Sequence, residues 1–291
     1  MKATYIKTRL PSIVNVSRIV TIHDYEFGSE FSFAGESHDF WELVYIDDGC
    51  VEICRDGERL ALSAGDIILH SPNEFHSVRA LNSSPRFFVI SFVCHSPALQ
   101  CLYRYHTSTG SSIRPFLTAI IAEAEKTFII PKNDTDLKVL ERREDAPLGA
   151  EQLIKTYLEQ LLIFLIRNAA RKGAHGVFAT KASMETHLVG AVKNIIEEHV
   201  EEPFRVELLC RELGYSRSYL SRIFHAETGD TLARFALARK IERAKRMILD
   251  GALNFAQISD RLAFDNPQYF SRVFKRITGE TPTQFKRSVH R

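Results

Sequence analysis

Apolar and polar positions follow different periods in successive stretches of the chain, and each period predicts its own kind of structure. Between residues 12 and 94, β-branched residues gather at Ile13, Val14, Val16, Ile19, Val20 and Ile22; Val51-Glu52-Ile53 alternates, and Phe87–Val93 is an apolar run. Alternation marks a strand with one buried face, and an unbroken short run suits a strand buried on both. Asp56-Gly57 lies between Val51–Cys54 and Arg59–Leu62 and supplies the positive φ angles of a tight hairpin. Gly65-Asp66 and Ser71-Pro72-Asn73 mark two further turns. Short strands at this spacing predict a small antiparallel β-barrel or jelly roll.

The period then lengthens. Ile113–Phe128 and Glu151–Arg171 read as helices, and in the second Leu153, Ile154, Tyr157, Leu158, Leu161, Leu162, Leu165 and Ile166 follow the i, i+3, i+4, i+7 rhythm. Phe164 widens that stripe beyond what one neighbour usually covers, so this helix is either sandwiched in the core or paired with its copy in a second subunit. Lys132–Pro147 has no apolar period and predicts a surface loop. Lys172–Lys181, with Gly173, Gly176 and few apolar anchors, predicts an interdomain linker. The expected domains are 1–171, a linker over 172–187, and 188–291.

The last hundred residues contain one unit written twice. Val206–Phe235 and Phe255–Phe285 align Leu209 and Leu213 with Ile258 and Leu262. Ser221, Arg222, Phe224, Thr228, Gly229, Thr231 and Phe235 align with Ser271, Arg272, Phe274, Thr278, Gly279, Thr281 and Phe285, with one extra residue in the second copy. Each copy predicts a helix, a turn and a second helix: Val206–Leu213, Gly214-Tyr215, then Arg217–Thr228 capped by Ser216; Phe255–Leu262, then a helix capped by Asn266 with Pro267 at its first position. A connecting helix over about Leu232–Leu249 measures roughly 27 Å at about 1.5 Å per residue. That rod holds two recognition helices about one DNA turn apart, ~34 Å, on one face of a duplex. The fold class expected is α+β multidomain: a β-rich domain with following helices, then an all-α domain of two helix-turn-helix units joined by a long helix.

Charge sharpens this division. The chain carries a formal charge of only +2 over 291 residues, but residues 188–291 hold 18 Lys and Arg against 13 Asp and Glu, and the remainder holds 20 against 23. A basic C-terminal third beside a mildly acidic remainder fits one nucleic-acid module and one module with another task. The five cysteines form no CxxC pair and read as reduced thiols filling small spaces in a cytoplasmic protein. Met1–Pro11 mixes Lys2, Lys7 and Arg9 among polar residues and does not read as a secretory signal; Leu161–Ile166 is too short to span a bilayer, so no membrane partner is expected.

The exposed positions of the second helices carry the chemistry. Arg pairs with guanine and Gln with adenine through two hydrogen bonds each, whereas Lys and Arg on phosphate position without specifying. The core pattern, the Gly-Tyr and Ala-Phe turns, both Ser-Arg pairs and the Thr-Gly-x-Thr-Pro ending of the second unit closely resemble the double helix-turn-helix of AraC/XylS-family regulators. The resemblance implies that Arg217, Ser218, Ser221, Arg222, Gln268, Ser271 and Arg272 face bases; Lys240, Lys275 and Arg276 suit phosphates. It also implies activation of transcription in bacteria through RNA polymerase, and a homodimer through Tyr157, Leu158, Leu161, Leu162 and Leu165.

His38-Asp-Phe-Trp-Glu42-Leu-Val-Tyr-Ile, then Gly49, then Gly65-Asp-Ile-Ile-Leu-His-Ser-Pro72-Asn-Glu-Phe-His76, resembles the cupin-like sensor domain of the same family. On a strand His38, Phe40 and Glu42 share one face and Trp41, Leu43 and Tyr45 the other, and one of the two lines the pocket. His38, Glu42 and His76 would hydrogen-bond a polyhydroxylated or charged effector such as a carbohydrate. Trp41 offers a stacking surface for a sugar ring, or serves the core. Metal-dependent cupins place two His two residues apart, then a carboxylate, then a later His. Here Phe40 stands where the second His would be and Glu42 comes early, so no metal or other cofactor is expected. The alternative is a cupin enzyme with an appended DNA-binding domain, its metal held by His38, Glu42 and His76.

Overall fold

The computed structural model describes residues 12–171 and 181–289, together with Ile6, Thr8 and Leu10. The chain divides into two compact units, Met1–Met184 and Glu185–Arg291.

Nine strands build the first unit's body: β1 (Arg18–Glu26), β2 (Ser32–Glu36), β3 (Trp41–Asp48), β4 (Cys50–Arg55), β5 (Glu58–Ser63), β6 (Asp66–His70), β7 (His76–Ala80), β8 (Arg86–Val93) and β9 (His106–Ser108). They form two antiparallel sheets, ordered β1-β8-β3-β6-β9 and β2-β7-β4-β5. The body is therefore a two-sheet jelly-roll sandwich, not a closed barrel. Asp56 (φ 44°) and Gly57 (φ 86°) make the β4–β5 turn that Asp-Gly predicts.

Both faces of the five-stranded sheet are covered, which explains its apolar strands. Val44, Ile46, Phe87 and Val89 meet Val51 and Ile53 of the other sheet. On the reverse face Leu43, Tyr45, Phe88, Ile90 and Phe92 pack with residues of α1 (Arg114–Thr127) and α2 (Ala150–Arg171). Two-residue strands β10 (Phe128–Ile129) and β11 (Glu141–Arg142) follow α1 and pair with each other.

Two expectations change here. Leu158, Leu161, Leu162 and Leu165 are fully buried in this unit's own core, and Tyr157 packs half-buried against it. The four leucines cannot form a dimer interface, because sheet and helix α1 already take up the apolar stripe. The charged stretch 132–147 is also more than a surface loop. The Tyr25 hydroxyl donates to Asp134 O at 3.0 Å, and Asn133 exchanges two hydrogen bonds with the backbone of Glu26 at 3.0 and 2.8 Å.

The second unit is all helical: α3 (Lys181–Glu198), whose first four residues precede the unit boundary, α4 (Val206–Leu213), α5 (Arg217–Thr228), α6 (Leu232–Asp250), α7 (Phe255–Arg261), α8 (Pro267–Thr278) and α9 (Pro282–Val289). Helix α3 begins before the expected start at 188, since nothing between Lys181 and Leu188 breaks a helix; residues 172–180 of the expected linker lie outside the described residues. The two copies bury equivalent positions. Leu209, Leu213, Leu220, Ile223 and Phe224 form one core, and Ile258, Leu262, Phe270, Val273 and Phe274 the other. Helix α6 serves both, giving Leu232 and Ala236 to the first core and Ile241, Ala244 and Ile248 to the second. Ser216 caps α5 and Asn266 caps α8, each accepting from the backbone N–H three residues on. Gly214 (φ 73°) turns the first unit; Ala263 (φ 49°) makes the corresponding turn in the second.

All five cysteines are free, and Cys94 is the buried one. Among the described residues no helix is long and apolar enough to cross a membrane.

Candidate functional site

A cavity of about 340 Å³ lies between the two sheets of the first unit. Its walls are largely apolar and aromatic, with Tyr25, Phe31, Phe33, Phe87 and Val89 among them. Thr135, Leu137 and Lys138 of the 132–147 segment line it too, which is what the hydrogen bonds from that segment to β1 achieve.

Its polar part is built from both sheets. Glu42 on β3 is paired in register with His70 on β6 and Ser91 on β8. The Ser91 hydroxyl donates to Glu42 Oε2 at 2.9 Å and is itself reached by Thr21 Oγ1 at 3.0 Å. His38, just ahead of β3, stacks on Phe40 with ring centroids 3.8 Å apart, and its Nδ1 lies 3.0 Å from Phe40 O. His76, at the start of β7, places Nδ1 3.1 Å from Glu74 O and Nε2 3.2 Å from Glu42 Oε1. His70 stacks on His76 at 4.1 Å and meets Glu74 Oε1 through Nδ1 at 2.8 Å.

Burial acts on Glu42, His76, His70 and His23 alike and is outweighed at the first two. It works to raise the Glu42 pKa, but the polar contacts with His38 and His76 and the charges of His76 and His70 outweigh it, so the carboxyl sits far below the usual range. Burial opposes a charge on His76, yet Glu42 draws its pKa upward. Burial also lowers His70, against its Glu74 contact, and takes His23 down to about 4.

His38, Glu42 and His76 thus meet, although His38 and Phe40 lie ahead of β3, where the chain bends, and not on a continuous strand with Glu42. Trp41 does not join them. It lies on the opposite face of β3, 6% exposed in the helix-side core, where Nε1 donates to Cys94 O at 3.2 Å. A fourth group, missed in the sequence, is Glu36. A register shift between Phe33 and Glu36 breaks the alternation of β2, so both residues line the cavity despite their odd spacing. Gly35 permits this bulge: at φ +110° a Cβ would fall 2.6 Å from the Phe75 ring and 2.7 Å from His76 O. Donor atoms of Glu36, His38, Glu42 and His76 lie within 4.8 Å of one another.

The second candidate site is the exposed face of α5 and α8. Arg217, Ser218, Ser221 and Arg222 are exposed on α5; on α8 Gln268, Arg272, Lys275 and Arg276 are exposed and Ser271 is half-buried. The guanidinium of Arg222 lies over the Tyr219 ring at 5.1 Å, and that of Arg272 over Tyr269 at 5.8 Å. An arginine resting on an aromatic face loses less freedom when it binds. Tyr219 and Tyr269 escaped notice in the sequence, although both copies carry tyrosine at this position. Arg222 Nη2 also approaches Glu185 Oε1 at 3.6 Å, an interaction without a counterpart in the second copy among the described ion pairs.

Lys240 is not a phosphate ligand. It is 5% exposed, and its amine donates to Glu202 O at 2.7 Å and to Leu262 O, with the Phe264 ring 5.6 Å away. Burial lowers its pKa.

A cavity in one unit and a duplicated helix-turn-helix in the other define the class: a DNA-binding transcription regulator with a ligand-binding domain. Residues 25–130 match the AraC-like ligand binding domain, and residues 209–288 match a helix-turn-helix domain family; together they take in nearly two thirds of the chain. The chain belongs to the AraC family of transcription regulators. It is 23% identical to the transcriptional activator RhaR of Salmonella schwarzengrund, over 87% of each chain. It is 30% identical to the Msm operon regulatory protein of Streptococcus mutans over 35% of this chain, which spans only 36% of that protein. The crystal structure of ToxT from Vibrio cholerae aligns over 94% of this chain and 96% of its own, at 15% identity and a TM-score of 0.32.

Proposed function

We propose that the chain is a cytoplasmic, ligand-responsive activator of transcription that acts by binding and has no enzymatic step of its own. A small molecule in the sensor cavity binds one arrangement of the chain better than another. That difference shifts the population toward a DNA-engaged form that recruits RNA polymerase. The sense of the response, activation, follows the Salmonella relative, which is named an activator. The cavity suits a molecule with apolar faces for Tyr25, Phe31 and Phe87 and with polar groups for His38, Glu42 and His76; a carbohydrate ring meets both demands. A homodimer is part of the proposal, through a surface other than the four buried leucines of α2.

The observation that carries the reading is the repeated arginine on tyrosine, Arg222 on Tyr219 and Arg272 on Tyr269, at the same position of both exposed helices. Arg217, Ser218, Ser221, Gln268 and Ser271 then read bases beside them, while Lys275 and Arg276 hold phosphates. Genomic fragments recovered on the protein and re-bound in a fluorescence anisotropy titration test this. Selective binding to the recovered sites supports it; equal affinity for all sequences, with or without candidate effectors, rejects it.

Arg272→Ala is expected to cost about 1–3 kcal/mol on the operator and to relax preference at one base pair. Lys275→Ala is expected to weaken all sequences alike and reduce the slope of log affinity against log salt by about one. Equal losses on operator and random DNA for Arg272→Ala would move that residue to the phosphate group. An unchanged slope would remove Lys275 from the backbone contacts.

A further inference from the structure

The donor groups that converge in the sensor cavity are arranged for something more than hydrogen bonding. His38 Nδ1 and His76 Nδ1 each face a backbone carbonyl, Phe40 O at 3.0 Å and Glu74 O at 3.1 Å. A carbonyl oxygen only accepts, so each Nδ1 carries the proton and donates it, and in the neutral ring Nε2 is left as a bare lone pair. The two imidazole side chains are 9% and 6% exposed, and neither Nε2 has a hydrogen-bond partner. Both are aimed at Glu42, at 3.7 and 3.2 Å, without hydrogen-bond geometry. Lone pairs converging on a carboxylate repel it unless positive charge lies among them.

A proton on His76 supplies that charge at Oε1 but leaves the Nε2 lone pair of His38 facing Oε2, and a second proton, on His38, would put two imidazolium groups with centroids 5.0 Å apart in a buried site. One shared cation avoids this and also uses Glu36, which the Gly35 bulge turns into the same space. Ser91, bonded to Glu42 Oε2, and the two carbonyls on the Nδ1 atoms are the outer partners that orient metal ligands.

We propose that Nε2 of His38 and of His76, with the carboxylates of Glu42 and Glu36, bind one divalent transition-metal ion inside the sensor cavity. Two imidazoles and two carboxylates suit zinc, iron(II), manganese(II) or cobalt(II) and select against the all-oxygen preference of calcium and magnesium. The ion occupies the cavity assigned to the effector, so effector binding becomes dependent on it; the metal site itself stands on the geometry alone.

The test uses the full-length protein, stripped with a chelator, its cysteines blocked, and titrated with zinc and cobalt(II) by calorimetry and visible absorption. One ion per chain is expected, with a cobalt spectrum of nitrogen and oxygen ligation, and millimolar magnesium is not expected to compete. Glu36→Gln, at an exposed position that leaves the core intact, is expected to weaken zinc binding at least about tenfold, and His76→Gln more. Thermal melts of both variants without metal verify folding. No uptake by the wild type, or an affinity unchanged in folded Glu36→Gln and His76→Gln, overturns the proposal. DNA binding, measured on the same samples, reports separately on the regulator reading.

Discussion

Lys240→Ala is expected to destabilise the DNA-binding unit by about 2–4 kcal/mol while leaving the salt dependence of DNA binding at full slope. The estimate rests on roughly 1.5–3 kcal/mol for each of its two hydrogen bonds from a charged group, reduced by the cost of keeping that charge out of water. Lys240 sits on α6 where the first core, ending at Ala236, gives way to the second, beginning at Ile241. Its amine bonds Glu202 O, after α3, and Leu262 O, at the end of α7, so one side chain ties the two helix-turn-helix units together. Arg261 of α7 adds a second tie, to Glu201 Oε2 at 2.5 Å, but at the exposed surface, where such a pair contributes little. Without Lys240 two carbonyls lose their charged partner. Calorimetric unfolding of the full chain and a salt titration of DNA binding read the two quantities independently. An unchanged melting profile with a slope reduced by about one would return Lys240 to the phosphates.

The error over Lys240 has a physical source that the sequence itself exposes. Leu232, Ala236, Lys240, Ala244 and Ile248 recur every four residues, so Lys240 lies on the buried stripe of its helix. Charge pointed outward and spacing pointed inward, and spacing was the better guide because a lysine amine can be satisfied by carbonyls at a helix end. Legibility elsewhere follows the same logic. The repeat was readable because both copies bury equivalent residues and turn on equivalent dipeptides, so each confirmed the other. On β3 alternation separated Glu42 from Trp41 but could not say which face held the cavity, since both faces of that strand are buried, and His38 reaches the cavity from the segment ahead of the strand. Glu36 was hidden by the bulge at Gly35, which a strict two-residue period cannot express. Without it the sequence offered three candidate ligands, His38, Glu42 and His76, with Phe40 where a second His is expected. The leucines of α2 show the limit of periodicity most plainly: a stripe announces that it is covered, but not by what.

That last point yields the second large effect. Leu162→Ala is expected to destabilise the sensor unit by about 2–5 kcal/mol, the usual range for a buried leucine whose cavity only partly collapses. For a unit of this size that corresponds to a fall in Tm on the order of 10 °C. Leu162 is fully buried among residues of the sheet's reverse face and of α1, so the loss arises within one subunit. The fall in Tm is therefore expected to be the same at micromolar and at tenfold lower protein concentration, with no change in sedimentation. Leu153, on the same helix but 43% exposed, supplies the contrast: Leu153→Ala is expected to move stability by less than about 0.5 kcal/mol. Had the stripe been a subunit interface, Leu162→Ala would dissociate the dimer before it unfolded the domain, and the fall in Tm would vary with concentration. A concentration-dependent fall together with a monomeric Leu162→Ala protein would thus reinstate the interface and displace α2 from the core.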